Sequence, residues 1–169
     1  MWKSKNLWRV AMMKRTSSKI LVLSLSAFFL LLSVGEQISV ANASAPVAIV
    51  RNVSGSATVV RQGQTISATN GMEIWENDTL RTGRNGSIGI VFTDDTFLSL
   101  GPGTVLIIDE FVFAPKQGKF SIVVRMLKGT AAYLSGLISK LSPDSAHFKT
   151  PTASIGIRGT KFVARVEGE

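Results

Sequence analysis

Few side chains in this sequence are able to do chemistry. His147 is the sole histidine, and cysteine is absent. A general base needs an orienting carboxylate and a nucleophile within reach. Asp144 and Ser145 are near His147 only along the chain, and alternation with Lys149 places His147 on an outward, solvated face. The lack of Cys excludes disulfides, thiolate zinc sites, a thiol nucleophile and a lipid-anchored lipoprotein. Two acidic pairs, Asp94-Asp95 and Asp109-Glu110, are the remaining candidates for a cation such as Ca²⁺. Calcium loops alternate their ligands, whereas neighbours on a strand point to opposite faces. Turn chemistry accounts for the first pair and surface solvation for the second. No nucleophile elbow, phosphate-cradling glycine loop or metal motif is present. The expected class is therefore a non-enzymatic binding or scaffold domain with no cofactor, no metal and no small-molecule ligand.

The charge balance looks at first like that of a nucleic-acid binder. The chain has 169 residues and a formal net charge of +8. Its distribution points to export instead. Lys3, Lys5, Arg9, Lys14, Arg15 and Lys19 precede an apolar run from Ile20 to Val34, and Ala41-Asn42-Ala43 supplies a small-residue cleavage site. That order describes a signal peptide spanning residues 1–43, cut before Ser44. Met13, followed by Lys14-Arg15, is the more ordinary start for such a leader. Residues 44–169 then form the domain, with 13 Lys and Arg against 10 Asp and Glu. The basic residues left are scattered, with no aromatic interleaving, so nucleic acid is not an expected partner. The expected location is periplasmic. The alternative is an uncleaved inner-membrane anchor at residues 20–34, although this run is short of the roughly 20 residues a span needs.

Apolar residues in the exported part recur with period two. Ile88, Ile90 and Phe92 share a face, as do Leu98 and Leu100, then Phe120, Ile122, Val124 and Met126, then Phe162, Ala164 and Val166. Val105–Ile108 is continuously apolar and is expected to be buried on both faces. Turn signals fall at Gly55, Gln62-Gly63, Asn70-Gly71, Asn77-Asp78, Gly83–Gly86, Asp94-Asp95, Gly101–Gly103, Pro115–Gly118 and Lys128-Gly129. The prediction is an all-β domain of about ten short strands, as a sandwich, roll or solenoid. Leu134, Leu137, Ile138 and Leu141 alone have helical spacing. They read as a single turn capping the β core, or as an exposed amphipathic contact for a partner.

Two stretches together resemble the FecR domain family of bacterial periplasmic proteins. One runs Asn77-Asp78-Thr79-Leu80-Arg81-Thr82-Gly83, then Ser87, the alternation to Phe92, Asp94-Asp95-Thr96, Leu98, Leu100 and Thr104. The other is Thr150-Pro151 followed by Arg158-Gly159-Thr160 and Phe162. The resemblance covers Val47 to Val166. Asn77 and Asp95 stand where the family usually has Gly, and both residue types tolerate the left-handed conformation. Founding members of the family are membrane-spanning regulators with a cytoplasmic anti-sigma segment. Only 19 residues precede the apolar run here, so the resemblance implies an exported domain that binds another envelope protein, without the sigma-factor role.

The motif residues Asp78, Thr82, Gly83, Thr150, Pro151, Arg158, Gly159 and Thr160 are the candidate site, structural or partner-binding. Thr82-Gly83 is expected to end a strand and turn. Pro151 suits a strand start or edge, and Gly159 a bend before the last strand. Arg158 either reaches a partner's carboxylate or sugar, or bridges a carboxylate such as Asp109 across the sheet. The alternative function is an envelope carbohydrate- or peptidoglycan-binding module in which Trp75 and Tyr133 stack on sugar rings. Otherwise Trp75 seals one end of the core.

Overall fold

The period-two pattern folds as expected, because each alternating segment can bury one face only by pairing with others on a common core. The computed structural model describes residues 45–168; the signal peptide expected at residues 1–43 lies outside the described residues. Twelve strands follow one another. They are β1 (Ala48–Ser54), β2 (Ala57–Arg61), β3 (Gln64–Ser67), β4 (Glu73–Ile74), β5 (Thr79–Thr82), β6 (Ser87–Phe92), β7 (Phe97–Leu100), β8 (Val105–Ala114), β9 (Lys119–Leu134), β10 (Ala146–Lys149), β11 (Ser154–Gly156) and β12 (Lys161–Val166). A single helical turn, α1 (Ile138–Leu141), lies between β9 and β10. Among the described residues no helix is long and apolar enough to cross a membrane.

The strands form one curled sheet, a half-barrel, and β9 is its spine. β8 pairs with the first part of β9, from Ala114↔Lys119 to Val105↔Lys128. β7 pairs with the last part, from Leu100↔Ala131 to Phe97↔Leu134. The two therefore run one after the other along β9, as a long strand broken at Gly101–Thr104. On its other side β9 carries β10, parallel, at Ile122–Arg125, and β12, antiparallel, at Gly129–Leu134. One wing of the curl is β4-β1-β6-β7-β9-β12 and the other is β3-β2-β5-β8-β9-β10-β11.

The concave face holds the core. Val50, Val59, Ile74, Leu80, Ile88, Ile90, Phe92, Leu98, Leu100, Leu106, Ile108, Ile122, Val124 and Met126 are all buried there. Tyr133 stacks on Phe162 at 5.2 Å, and Phe148 meets both rings edge-on, so aromatic side chains from β9, β10 and β12 join the two wings. Such pairs add about 1 kcal/mol each beyond the area they bury.

Three local expectations are corrected. Val105 and Ile107 are only half-buried while Leu106 and Ile108 are buried, so β8 has one buried face. Leu134 ends β9 rather than starting a helix; α1 buries Ile138 and leaves Leu137 and Leu141 exposed. Lys128-Gly129 does not separate strands. It lies inside β9, where Gly129 takes φ +102°. A Cβ there would overlap the backbone and side chain of Thr104. An L-residue is thus disfavoured twice, by conformation and by space. Gly129→Ala is expected to destabilise the chain by about 2 kcal/mol or more, whereas Gly156→Ala, which meets open space, shifts it by no more than about 0.5 kcal/mol. Denaturant unfolding of both variants checks the contrast.

Candidate functional site

The first half of the motif makes three buried hydrogen-bond nodes. At one, Thr82 donates through its hydroxyl to the Gly101 carbonyl at 2.6 Å and accepts the Thr104 N–H at 2.8 Å. The Thr104 hydroxyl lies 2.8 Å from the Gly101 carbonyl and 3.1 Å from that of Thr130, and accepts the Thr130 N–H at 3.0 Å. Thr104 is fully buried, so these bonds satisfy backbone groups that the break between β7 and β8 would leave unpaired. Gly83 follows directly: its N–H reaches the Ser56 carbonyl and its own carbonyl takes the N–H groups of Gly86 and Gly103.

Asp78 forms the second node. Its carboxylate is buried and receives Arg61 through Nε at 2.9 Å and Nη2 at 2.7 Å, together with the Trp75 N–H at 2.8 Å. Arg61 also donates to the Glu73 carbonyl, and its guanidinium sits 5.7 Å from the centre of the Trp75 ring. The hydrogen bond to Asp78 raises the already high pKa of Arg61. Nothing local to Asp78 announced Arg61, which arrives from β2 across the sheet.

Asp94 is a third buried node. Its carboxylate accepts the Thr96 N–H and hydroxyl at 3.0 and 2.9 Å and the Ile138 N–H at 3.2 Å. The Asp94 carbonyl accepts the Leu137 N–H, and the Thr96 hydroxyl oxygen accepts the Gly136 N–H. The turn therefore satisfies the start of α1. Asp95 points outward with φ +65°, and Asn77 has φ +68°, the left-handed conformation anticipated at both positions.

The second half of the motif is exposed. Thr150, Pro151, Thr152 and Ala153 turn the chain between β10 and β11, with the Thr150 N–H bonded to the Ala153 carbonyl and the Thr150 hydroxyl accepting the Ala153 N–H. Pro151 thus sits in a turn, where its fixed φ helps, rather than in a strand. Gly159 has φ +55° and bends the chain before β12, while the Thr160 carbonyl accepts the Ser135 N–H. Arg158 does not reach Asp109, which is held at 2.6 Å by Arg125. It lies instead 3.1 Å from Asp144, with the two side chains 76% and 90% exposed. His147 is half-buried and its Nε2 lies 3.0 Å from the Asp144 carbonyl.

The stacking role for Tyr133 is overturned: the side chain is 1% exposed. Its hydroxyl faces Thr96 and Asp94 without a well-formed hydrogen bond. Burial pushes the phenol up to about 12, with Asp94 acting in the same direction and Thr96 against it. Trp75 is half-buried beneath Arg61, so neither aromatic offers a free pair of faces to a sugar.

A groove of about 690 Å³ lies between the β10–β11 turn and β12. Pro151 and Ile155 line one side, Val163 and Arg165 the other, and Leu127 of β9 lies with them. Leu127, Ile155 and Val163 are 41%, 39% and 66% exposed. No strand is registered with Met126–Lys128 on this side of β9, because β10 stops at Arg125 and β12 at Gly129. The groove thus combines exposed aliphatic side chains with the free edge of β12. Among the described residues no group of three His, Asp or Glu side chains is placed to hold a metal ion.

The described residues thus form a curled all-β scaffold with internally satisfied polar nodes and an open groove. A family model described as FecR protein matches residues 78–169, more than half the chain. The chain belongs to the FecR protein family. The matched segment begins at Asp78, so β1–β4 precede it. No curated protein and no solved structure matches the chain.

The two halves of the motif respond differently to substitution. Asp78→Ala leaves Arg61 without its partner and is expected to cost about 1–3 kcal/mol in denaturant unfolding, whereas Arg158→Ala leaves the unfolding midpoint unchanged because both partners are solvated. Tyr133 is the only tyrosine. Its ultraviolet titration in the folded protein is expected near pH 12, against about 10 when unfolded. The folded phenol binds its proton more tightly than the unfolded one. Its contribution to stability is therefore complete below pH 10 and is lost as pH rises through 12.

Proposed function

We propose that this chain is an exported, non-enzymatic periplasmic domain that binds another envelope protein as a sensor or scaffold in envelope signalling. Membership of the FecR family supports the signalling context. The observation that carries the binding role is the groove along β12. It places Leu127, Ile155 and Val163 in solvent beside an unpaired strand edge, and such edges accept an extended segment by strand addition. The buried nodes at Asp78, Thr82 and Asp94 are internally satisfied and hold the scaffold. Residues 1–43 act as the leader for export, and the mature chain starts at Ser44. The partner is a protein; neither nucleic acid nor a small ligand is required.

Cross-linking of a C-terminally tagged chain in the intact envelope, followed by mass spectrometry, tests this reading. The expected product begins at Ser44 and is joined to an outer-membrane or signalling protein. Val163→Asp, at an exposed position, is expected to remove that product while the chain stays folded. A chain that retains residues 20–34 and meets only inner-membrane proteins, or a product unaffected by Val163→Asp, contradicts it.

A further inference from the structure

Among the described residues β12 presents a free strand edge six residues long. β3 has four residues, all exposed and mostly polar, while β4 and β11 have only two and three. β12 pairs with β9 on one side only. Its solvent-facing residues are Lys161, Val163 and Arg165, followed by exposed Glu167, and Val163 is the most exposed large apolar side chain described. Natural edges are usually blunted by Pro, bulges or unmatched charge. Here the charges are matched, though only in one arrangement.

From Lys161 the sequence reads Lys-Phe-Val-Ala-Arg-Val-Glu. Reversed about Ala164, it sets Lys161 opposite Glu167, Val163 opposite Arg165 and Phe162 opposite Val166. Residues directly opposite on antiparallel strands share a face and interact. A two-fold axis repeats each pairing, so the Lys161–Glu167 pair occurs twice. Sliding the register by two residues sets Arg165 against Arg165, or Lys161 against Arg165. Sliding by one sets outward residues against inward ones. The exposed Val163 would lie along the aliphatic stem of the opposing Arg165.

We infer that the β12 edge is a self-complementary interface, at which a second copy of this chain pairs antiparallel about Ala164. The two-fold pair extends the sheet across two molecules and covers the groove beside β12. Dimer formation and capture of an envelope protein then compete for the same edge. The inference does not rest on the envelope-partner reading: it is read from self-association of the purified chain, whereas that reading is tested by cross-links to other proteins.

Sedimentation of the exported chain, as isolated, tests the pairing. A concentration-dependent monomer–dimer equilibrium is expected at low salt, weakening as salt is added. Lys161→Glu and Glu167→Lys, each setting like charges opposite one another twice, are expected to raise the dissociation constant about tenfold. The combined K161E/E167K variant recovers the original value. Ala164→Cys, on the axis of a chain that has no other cysteine, is expected to form an intermolecular disulfide under mild oxidation. A chain that stays monomeric to about 1 mM, single reversals without effect, or a double reversal that fails to recover association would each overturn the inference. Unchanged thermal unfolding of the charge variants confirms that the comparison is made between folded chains.

Discussion

One strand has to serve two wings of a sheet, and the fold depends on how β9 manages the passage between them. Up to Lys128 it pairs with β8 and β10, and from Gly129 onward with β7 and β12. The backbone cannot keep an ordinary extended conformation through that change. Gly129 takes φ +102°, and Thr104 packs against the space where a side chain would stand. Breaking β7 from β8 at the same level leaves backbone groups without ladder partners, and the Thr82 and Thr104 hydroxyls take their place. Curvature, burial of the core and satisfaction of the backbone are thus settled at one point in space by Thr82, Gly101, Thr104 and Gly129.

Burying polar groups is costly unless they are bonded, and this domain buries several. Asp78 meets Arg61 and a backbone N–H, and Asp94 meets Thr96 and the start of α1. Each of these side chains links segments far apart in sequence, so each fixes where loops attach to the sheet. Their donors and acceptors are engaged within the protein, which leaves them little to offer a partner. The C-terminal part differs in kind. Arg158, most of the Thr150–Ala153 turn and the outward side chains of β12 are exposed, and the turn and β12 border the groove. The family motif therefore divides into a first half that closes the scaffold and a second half that lies at the exposed surface beside the groove.

The strand content was legible because period two is a direct consequence of a one-sided sheet. Ile88–Phe92, Leu98–Leu100 and Ile122–Met126 bury the faces that their alternation predicts. The left-handed turns at Asn77 and Asp95 were legible for a similar reason, since few residue types accept that conformation. Long-range partners were not. Arg61 lies in a strand separated from Asp78 by a hairpin, and no local pattern marks the pairing. Asp109 is one carboxylate the sequence offers Arg158, but Arg125 of β9 holds it instead. Gly129 read as a turn because glycine is the residue that most readily takes positive φ. Inside a long strand it instead marks the bend, which only the tertiary arrangement reveals. The groove was equally hidden, because it arises where β10 and β12 stop short of one another along β9.

Native-state hydrogen exchange, resolved by residue, tests the division between a closed scaffold and an open edge most directly. The amides of Thr104 and Thr130 donate to buried hydroxyls, and they are expected to exchange only through global unfolding. Those amides of β12 that point away from β9 are expected to exchange quickly in dilute solution and to gain protection when the edge is occupied. Fast exchange at Thr104 and Thr130, together with full protection along β12 in the dilute monomer, would contradict the account.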